Sequence, residues 1–115
     1  MVDRELYAGL IRLHLLHHAA ECPLYGLAMI EELGRHGYKI SAGTLYPILH
    51  GMQKKGYLRS AEQRHGRTSR RLYTITPRGR TALLSAKRKV KELFGKIFEE
   101  KAAAGRHRTK TAKWA

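Results

Sequence analysis

The segment Ser41-Ala42-Gly43-Thr44-Leu45-Tyr46-Pro47-Ile48-Leu49-His50-Gly51-Met52-Gln53-Lys54-Lys55-Gly56 has two faces. Leu45, Ile48, Leu49 and Met52 follow the i, i+3, i+4, i+7 spacing of a helix over residues 42–55 that buries one side. At 100° per residue the other side carries Gly43, Pro47, His50 and Lys54, with Thr44 and Tyr46 on its flanks. Ser41 is placed to cap the start. Gly56 closes the end after Lys54 and Lys55, whose charges suit the negative end of the helix dipole. Pro47 leaves the start open. A helix beginning at 42 puts this proline past the first turn, where it removes a backbone bond; with Thr44 as the cap it falls inside the first turn and costs little. An apolar stripe opposite a face of hydrogen-bonding side chains is what an element entering the DNA major groove needs. A surface helix with a solvated face has the same pattern, so the neighbouring segments must decide.

Upstream, residues 4–20 read as a helix with Leu6, Leu10 and Leu13 on one face and Tyr7, Ile11 and Leu16 widening it; Cys22-Pro23 ends it. Residues 24–35 read as a second helix through Leu24, Leu27, Ile30 and Leu33, with Gly34 and Gly37 bracketing its end. Only residues 36–41 separate it from the third. Downstream the period changes. Residues 57–61 and 70–76 are rich in Tyr, Leu, Thr and Ile, and the polar run 62–69 between them reads as the loose, basic tip of a β-hairpin. Thr76-Pro77 then caps and opens a long helix to about 103. Its stripe of Leu83, Ala86, Val90, Leu93 and Ile97, widened by Leu84, Phe94 and Phe98, is longer than a small core can cover, so its far half is expected to pack on a second copy. The expected fold is mainly α with a small β-hairpin: a winged helix-turn-helix over 1–77, a C-terminal dimerisation helix over 78–104 and a basic tail over 105–115. Leu83, Val90, Leu93, Phe94, Ile97 and Phe98 are the expected dimer contacts.

The chain has 115 residues and a formal net charge of +14. Residues 1–58 contribute +1 of this and residues 59–115 the remaining +13. A near-neutral scaffold joined to a basic half points to a polyanionic partner: DNA, RNA or an anionic membrane. With the two-faced third helix and the hairpin, double-stranded DNA is the expected one. Five arginines and one histidine lie between positions 59 and 71, opposed by Glu62 alone. Arg64, Arg67, Arg70 and Arg71 are expected to contact phosphate. Ser41, Thr44, Tyr46, His50 and Lys54 are expected to contact phosphate or base edges from the third helix. No run approaches the ~18 apolar residues of a membrane span, and Val2-Asp3-Arg4-Glu5 does not open a signal peptide. A single cysteine excludes an intramolecular disulfide and favours a reducing compartment, so a cytoplasmic, nucleoid-associated protein is expected.

The stretch His36-Gly37-Tyr38-Lys39-Ile40-Ser41 through Thr44-Leu45-Tyr46-Pro47 to Lys55-Gly56-Tyr57-Leu58 resembles the signature of PadR-like transcriptional regulators. Leu24-Tyr25-Gly26 before it and Arg71-Leu72-Tyr73-Thr74-Ile75-Thr76-Pro77 after it resemble the same family, over about residues 6–85. The resemblance implies a homodimeric winged-helix repressor that binds an inverted-repeat operator and dimerises through its C-terminal helix, often with the first helix. It implies DNA contact at Ser41, Thr44, Tyr46 and His50, and phosphate contact along 64–71. Some members of that family sense planar drugs or phenolic acids between aromatic rings. Here the one tryptophan is Trp114, in the tail, and the dimer helix offers Phe94 and Phe98, which packing alone accounts for. A small-molecule effector of unidentified chemistry stays open as a partner. A sequence-tolerant architectural protein for DNA or RNA is the alternative function.

His14, His18 and Cys22 stand at i, i+4, i+8, a spacing that can put metal ligands on one helix face. Pro23 breaks the helix at Cys22 and no carboxylate cluster completes the set, so no metal site is expected. The sequence shows no phosphate loop, nucleophile elbow or paired carboxylates; neither a cofactor nor an enzymatic activity is expected.

Overall fold

The computed structural model describes residues 4–99. The element order is α1 (Arg4–Glu21), β1 (Leu24–Tyr25), α2 (Gly26–Arg35), α3 (Ala42–Lys54), β2 (Leu58–His65), β3 (Thr68–Ile75) and α4 (Pro77–Phe94), which runs on as a π-helical turn, Gly95–Glu99. The chain divides into two compact units, Met1–Leu83 and Leu84–Ala115. The division lies within α4, so the first turns of that helix belong to the first unit. The expected continuation of the helix to 104 and the basic tail lie outside the described residues.

One core organises the first unit. It takes Leu15, Leu16 and Ala19 from α1, Leu24 from β1, Met29 and Leu33 from α2, and Leu45, Leu49 and Met52 from α3. Leu58, Tyr73 and Leu83 close it from β2, β3 and α4. Removing each large apolar side chain from water contributes about 1.5–3 kcal/mol. Only the second half of α1 enters this core. Leu6 and Leu10 remain 67% and 44% exposed, although they share the helix's apolar periodicity.

Two helix ends are built alike. Gly37 (φ 90°) follows α2 and Gly56 (φ 84°) follows α3. After α2 the Gly37 amide donates to the Gly34 carbonyl and the Tyr38 amide to the Leu33 carbonyl, at 3.1 and 2.9 Å. After α3 the Gly56 and Tyr57 amides donate to the Gln53 and Met52 carbonyls, both at 2.9 Å. These paired bonds are the Schellman closure, which needs a left-handed residue that glycine adopts without a Cβ clash.

The sheet corrects two expectations. Leu24 and Tyr25 are not helical. They pair antiparallel with Tyr73 and Leu72, making a three-stranded sheet in the order β1-β3-β2. Helix α2 consequently begins at Gly26 and turns Gly26, Met29, Ile30 and Leu33 inward, an i, i+3, i+4, i+7 set in which Ile30 is half-buried and the others buried. Leu27 falls off that face and is 70% exposed. The hairpin strands also run through the segment expected to be a loop. Pairing continues to His65↔Thr68, leaving a two-residue turn, Gly66-Arg67, with Gly66 at φ 63°. A two-residue hairpin turn favours glycine at its first position, and the strands need no apolar side chains where they project beyond the core.

Helix α4 is anchored at its start. The Thr76 hydroxyl accepts the Gly79 amide at 3.0 Å, as the N-cap expectation required, and donates towards the Gly56 and Tyr57 carbonyls. Gly79 lies so close to the Tyr57 carbonyl that a Cβ there would overlap it. Leu83, expected at a dimer seam, is instead 5% exposed within the core, one turn after this anchor.

Two stability measurements follow from these contacts. Thr76→Ala should cost about 1–2 kcal/mol in urea unfolding. Gly79→Ala should cost more, because backbone must move; an unchanged midpoint for Gly79→Ala would contradict the close approach. Tyr73 is fully buried, burial holds its hydroxyl pKa above the ordinary value, and the hydroxyl oxygen makes no hydrogen bond. Tyr73→Phe should therefore be neutral or stabilising by about 1 kcal/mol, whereas a clear loss of stability would indicate that the hydroxyl is bonded in solution.

Candidate nucleic-acid interface

Helix α3 begins at Ala42, with Ser41 as its N-cap residue in extended conformation. The Ser41 side chain makes no capping bond and lies 3.3 Å from the Thr44 hydroxyl. Pro47 therefore sits inside the helix, past the first turn. Lacking an N–H, it leaves the Gly43 carbonyl without its i+4 donor, and both residues are exposed, on the side away from the core. Ser41, Thr44, His50 and Lys54 are exposed, while Leu45, Leu49 and Met52 are buried. The two-faced reading of this helix holds in the structure.

Tyr46 behaves differently from its exposed neighbours. It is half-buried, and its ring lies on Gly26 at the first turn of α2 so closely that a Cβ at Gly26 would overlap the hydroxyl end. This pairing was not visible in the sequence, because a glycine 20 positions away gives no local signal. Tyr46 also lines a cleft of about 620 Å³ with Tyr25, Gly26, Ser69, Arg70 and Arg71. A second cleft, of about 720 Å³, flanks the other side of α3 and is lined by Ser41, Thr44 and Ile48 together with Tyr7, Ile11 and Tyr38.

Every residue from Ala61 to Arg71 is exposed, so the hairpin projects as a wing. Its arginines do not share one face. By the two-residue period of the strands, Arg64 and Arg71 point to the side of Leu58 and Tyr73, Arg70 points to the other side, and Arg67 is at the tip. Arg71 donates to the Ser60 hydroxyl at 3.1 Å, and Ser60 donates to Gln53 of α3 at 2.9 Å, a relay that ties the wing's base to the end of α3. The Arg70 guanidinium stands 5.1 Å from the centre of the Tyr25 ring, and Tyr25 donates to Gln63 at 2.7 Å. Glu62 accepts a hydrogen bond from Ser69 across the hairpin. Of the expected contact residues, Tyr46, Arg70 and Arg71 thus converge on one cleft. Arg64 and Arg67 lie farther out along the wing.

In the second unit Val90, Leu93, Phe94, Ile97 and Phe98 are all exposed, and the Phe94 and Phe98 rings lie 4.5 Å apart between centroids, tilted by 43°.

Three helices and a two-stranded wing, with a polar helix face and an arginine-bearing hairpin, define a winged helix-turn-helix. Residues 15–85 match the sequence model of the transcriptional regulator PadR-like family. The chain is 44% identical over 95 residues to transcriptional regulator Rv3488 of Mycobacterium tuberculosis, covering 83% of this chain and 89% of that protein. The fold matches the crystal structure of a PadR family transcriptional regulator from Eggerthella lenta at TM-score 0.73 and 29% identity, over 83% of this chain and 84% of that one. A PadR-like regulator from Bacillus cereus has the same fold at TM-score 0.73 and 23% identity, over 81% and 92%. The chain belongs to the PadR family of transcriptional regulators. No helix among the described residues is long and apolar enough to cross a membrane.

The Gly26–Tyr46 contact has a signature in a double-mutant cycle. Gly26→Ala should lower the unfolding midpoint in the native background. In a Tyr46→Ala background the same change should be neutral or slightly stabilising, since alanine is favoured over glycine in a helix by about 0.5–1 kcal/mol. Equal effects in both backgrounds would show that the ring does not rest on Gly26.

Proposed function

We propose that this regulator is a homodimer that binds double-stranded DNA at an inverted repeat and represses transcription there. Helix α3 enters the major groove and offers Ser41, Thr44, His50 and Lys54. The wing carries Arg64, Arg67, Arg70 and Arg71 along the sugar-phosphate backbone. The observation that carries this reading is the convergence of Tyr46 from α3 with Arg70 and Arg71 from the wing on one exposed cleft. A duplex lying there meets a specificity element and an affinity element together. Charge supports the same division of labour: residues 1–58 are near neutral, so phosphate attraction resides in the later half, while short polar side chains on α3 read the bases.

Dimerisation rests on the exposed stripe Val90, Leu93, Phe94, Ile97 and Phe98 of the second unit. Monomeric proteins rarely leave large contiguous apolar patches in water. A two-fold dimer places its half-sites about one helical turn, or a multiple of it, apart. Repression is the sign of regulation that the family resemblance favours, and the reading leaves an effector open.

Selection from random DNA should enrich a palindrome; recovery of no preferred sequence would instead establish sequence-tolerant architectural binding to DNA or RNA. Arg67→Ala and Arg71→Ala should each flatten the salt dependence of DNA binding by about one ion. Tyr46→Ala should weaken operator binding more than binding to random DNA, and equal losses would make it a backbone contact. In sedimentation, Leu93→Asp should convert a dimer to a monomer and abolish operator binding, and a native chain that sediments as a monomer would overturn the dimer mechanism.

A further inference from the structure

Histidines 14 and 18 stand one turn apart on α1, as their spacing indicated, but the cluster they join does not include Cys22. The third member is His36, the C-cap residue of α2. One ring nitrogen from each of His14, His18 and His36 lies within 4.8 Å of the other two. The His14 and His36 rings stack at 5.2 Å, and Tyr38 meets His14 edge-on at 5.3 Å. Glu32 brings a carboxylate to two of the three: its Oε2 is 3.2 Å from His36 Nε2 and 3.9 Å from His18 Nε2. Arg35 holds the other oxygen, Oε1, and so leaves Oε2 facing the imidazoles.

We propose that His14, His18 and His36, with Glu32 as fourth ligand, form a binding site for a divalent transition-metal ion of the zinc class. Three imidazoles and one carboxylate suit the borderline ions Zn²⁺, Co²⁺ and Ni²⁺, and exclude the oxygen-only chemistry of Mg²⁺. With metal–nitrogen bonds of about 2.0–2.1 Å, ligands of a tetrahedral site stand about 3.3 Å apart. Closing from 4.8 Å therefore asks each ring for a movement of about 1 Å. The side chains are free to make it: His36 is exposed, and His14 and His18 are only half-buried.

A metal ligand must be a neutral imidazole. Burial, then the proximity of His36, His18 and His17, holds the His14 pKa below the ordinary value, with Glu32 acting in the opposite direction. Glu32 itself is held below the usual carboxylate range, first by the hydrogen bond from His36 and then by Arg35. An ion here bridges α1 to the residue immediately before Gly37, and so locks the entry to the turn that carries the chain into α3.

The test uses the full chain, stripped of metal by chelation and titrated with Co²⁺ in the absence of DNA. We expect one Co²⁺ per chain, with the intense visible absorption of a four-coordinate site, displaced by Zn²⁺ but not by Mg²⁺. His14→Ala and His36→Ala should each weaken binding at least about 100-fold, and Glu32→Gln about tenfold. His17→Ala, next to the cluster but outside it, should bind as the native chain does. Saturating Zn²⁺ should raise the thermal midpoint of the native chain and not that of His36→Ala. Absence of saturable absorption would overturn the proposal. So would native-strength binding in a folded His14→Ala/His36→Ala double variant, checked by circular dichroism. His36→Ala and Glu32→Gln alter side chains outside the core, so the result does not hinge on whether His14→Ala folds. None of these readouts involves DNA, so a failed metal titration leaves the DNA-binding reading standing.

Discussion

The first unit depends on two left-handed glycines. Gly37 and Gly56 end α2 and α3 with the same pair of backbone bonds, and each delivers a tyrosine immediately after the turn. Tyr38 leads towards the start of α3. The Tyr57 carbonyl accepts both the amide and the hydroxyl of Thr76, and Gly79 packs against that carbonyl. The second closure therefore sets the end of α3, the root of the wing and the start of α4 from one point. A side chain with a Cβ at Gly56 would strain the turn on which all three meet. Helix α3 is held between two rigid corners, which lets it tolerate an internal proline: packing through Leu45, Leu49 and Met52 replaces the backbone bond lost at Pro47.

How much of this could be read from the sequence depends on how local each signal is. Helix α3 was legible because its apolar residues recur at helical spacing and its end is marked by Lys54, Lys55 and Gly56. The Thr76-Pro77 start of α4 was legible for the same reason. Strand β1 was not: two residues cannot show a period, and their partners Tyr73 and Leu72 lie far along the chain. Without that strand the apparent period of α2 starts two residues early and counts Leu27 on the buried face. The polar half of the hairpin read as loop because strand patterns announce themselves by apolar alternation, which a projecting wing has no core to require. Leu83 continued the stripe of α4 without revealing where the core ends along it. In the candidate sites, exposed polar residues of α3 were legible as such. Tyr46 on Gly26, and His36 beside His14, depend on how separate helices cross, which no spacing rule reports.

Charge and packing are segregated in this molecule. The core is assembled from apolar side chains with no buried charged residue among those described. The arginines of the wing are held by light contacts instead: Arg71 through Ser60 to Gln53, and Arg70 over Tyr25. Such contacts orient a guanidinium without neutralising it, unlike an ion pair with a carboxylate. Glu62, the acidic residue of the hairpin, is engaged by Ser69 across the strands. Positive potential is thus kept available where the wing meets solvent, while stability comes from elsewhere.

The pairing of Leu24 with Tyr73 has a consequence in time as well as in space. Helices α1, α2 and α3 need contacts close in sequence, but β1 must wait for a strand about fifty residues later, and closing so long a loop is slow. On a ribosome, which releases the chain from its N-terminus, the helices emerge well before the strand that completes the sheet. The seat under Tyr46 adjoins β1 at Gly26, and the cleft it shares with Arg70 and Arg71 needs both ends of that pairing. That cleft is therefore finished late in folding, and a nascent chain presents its helices before it has a wing.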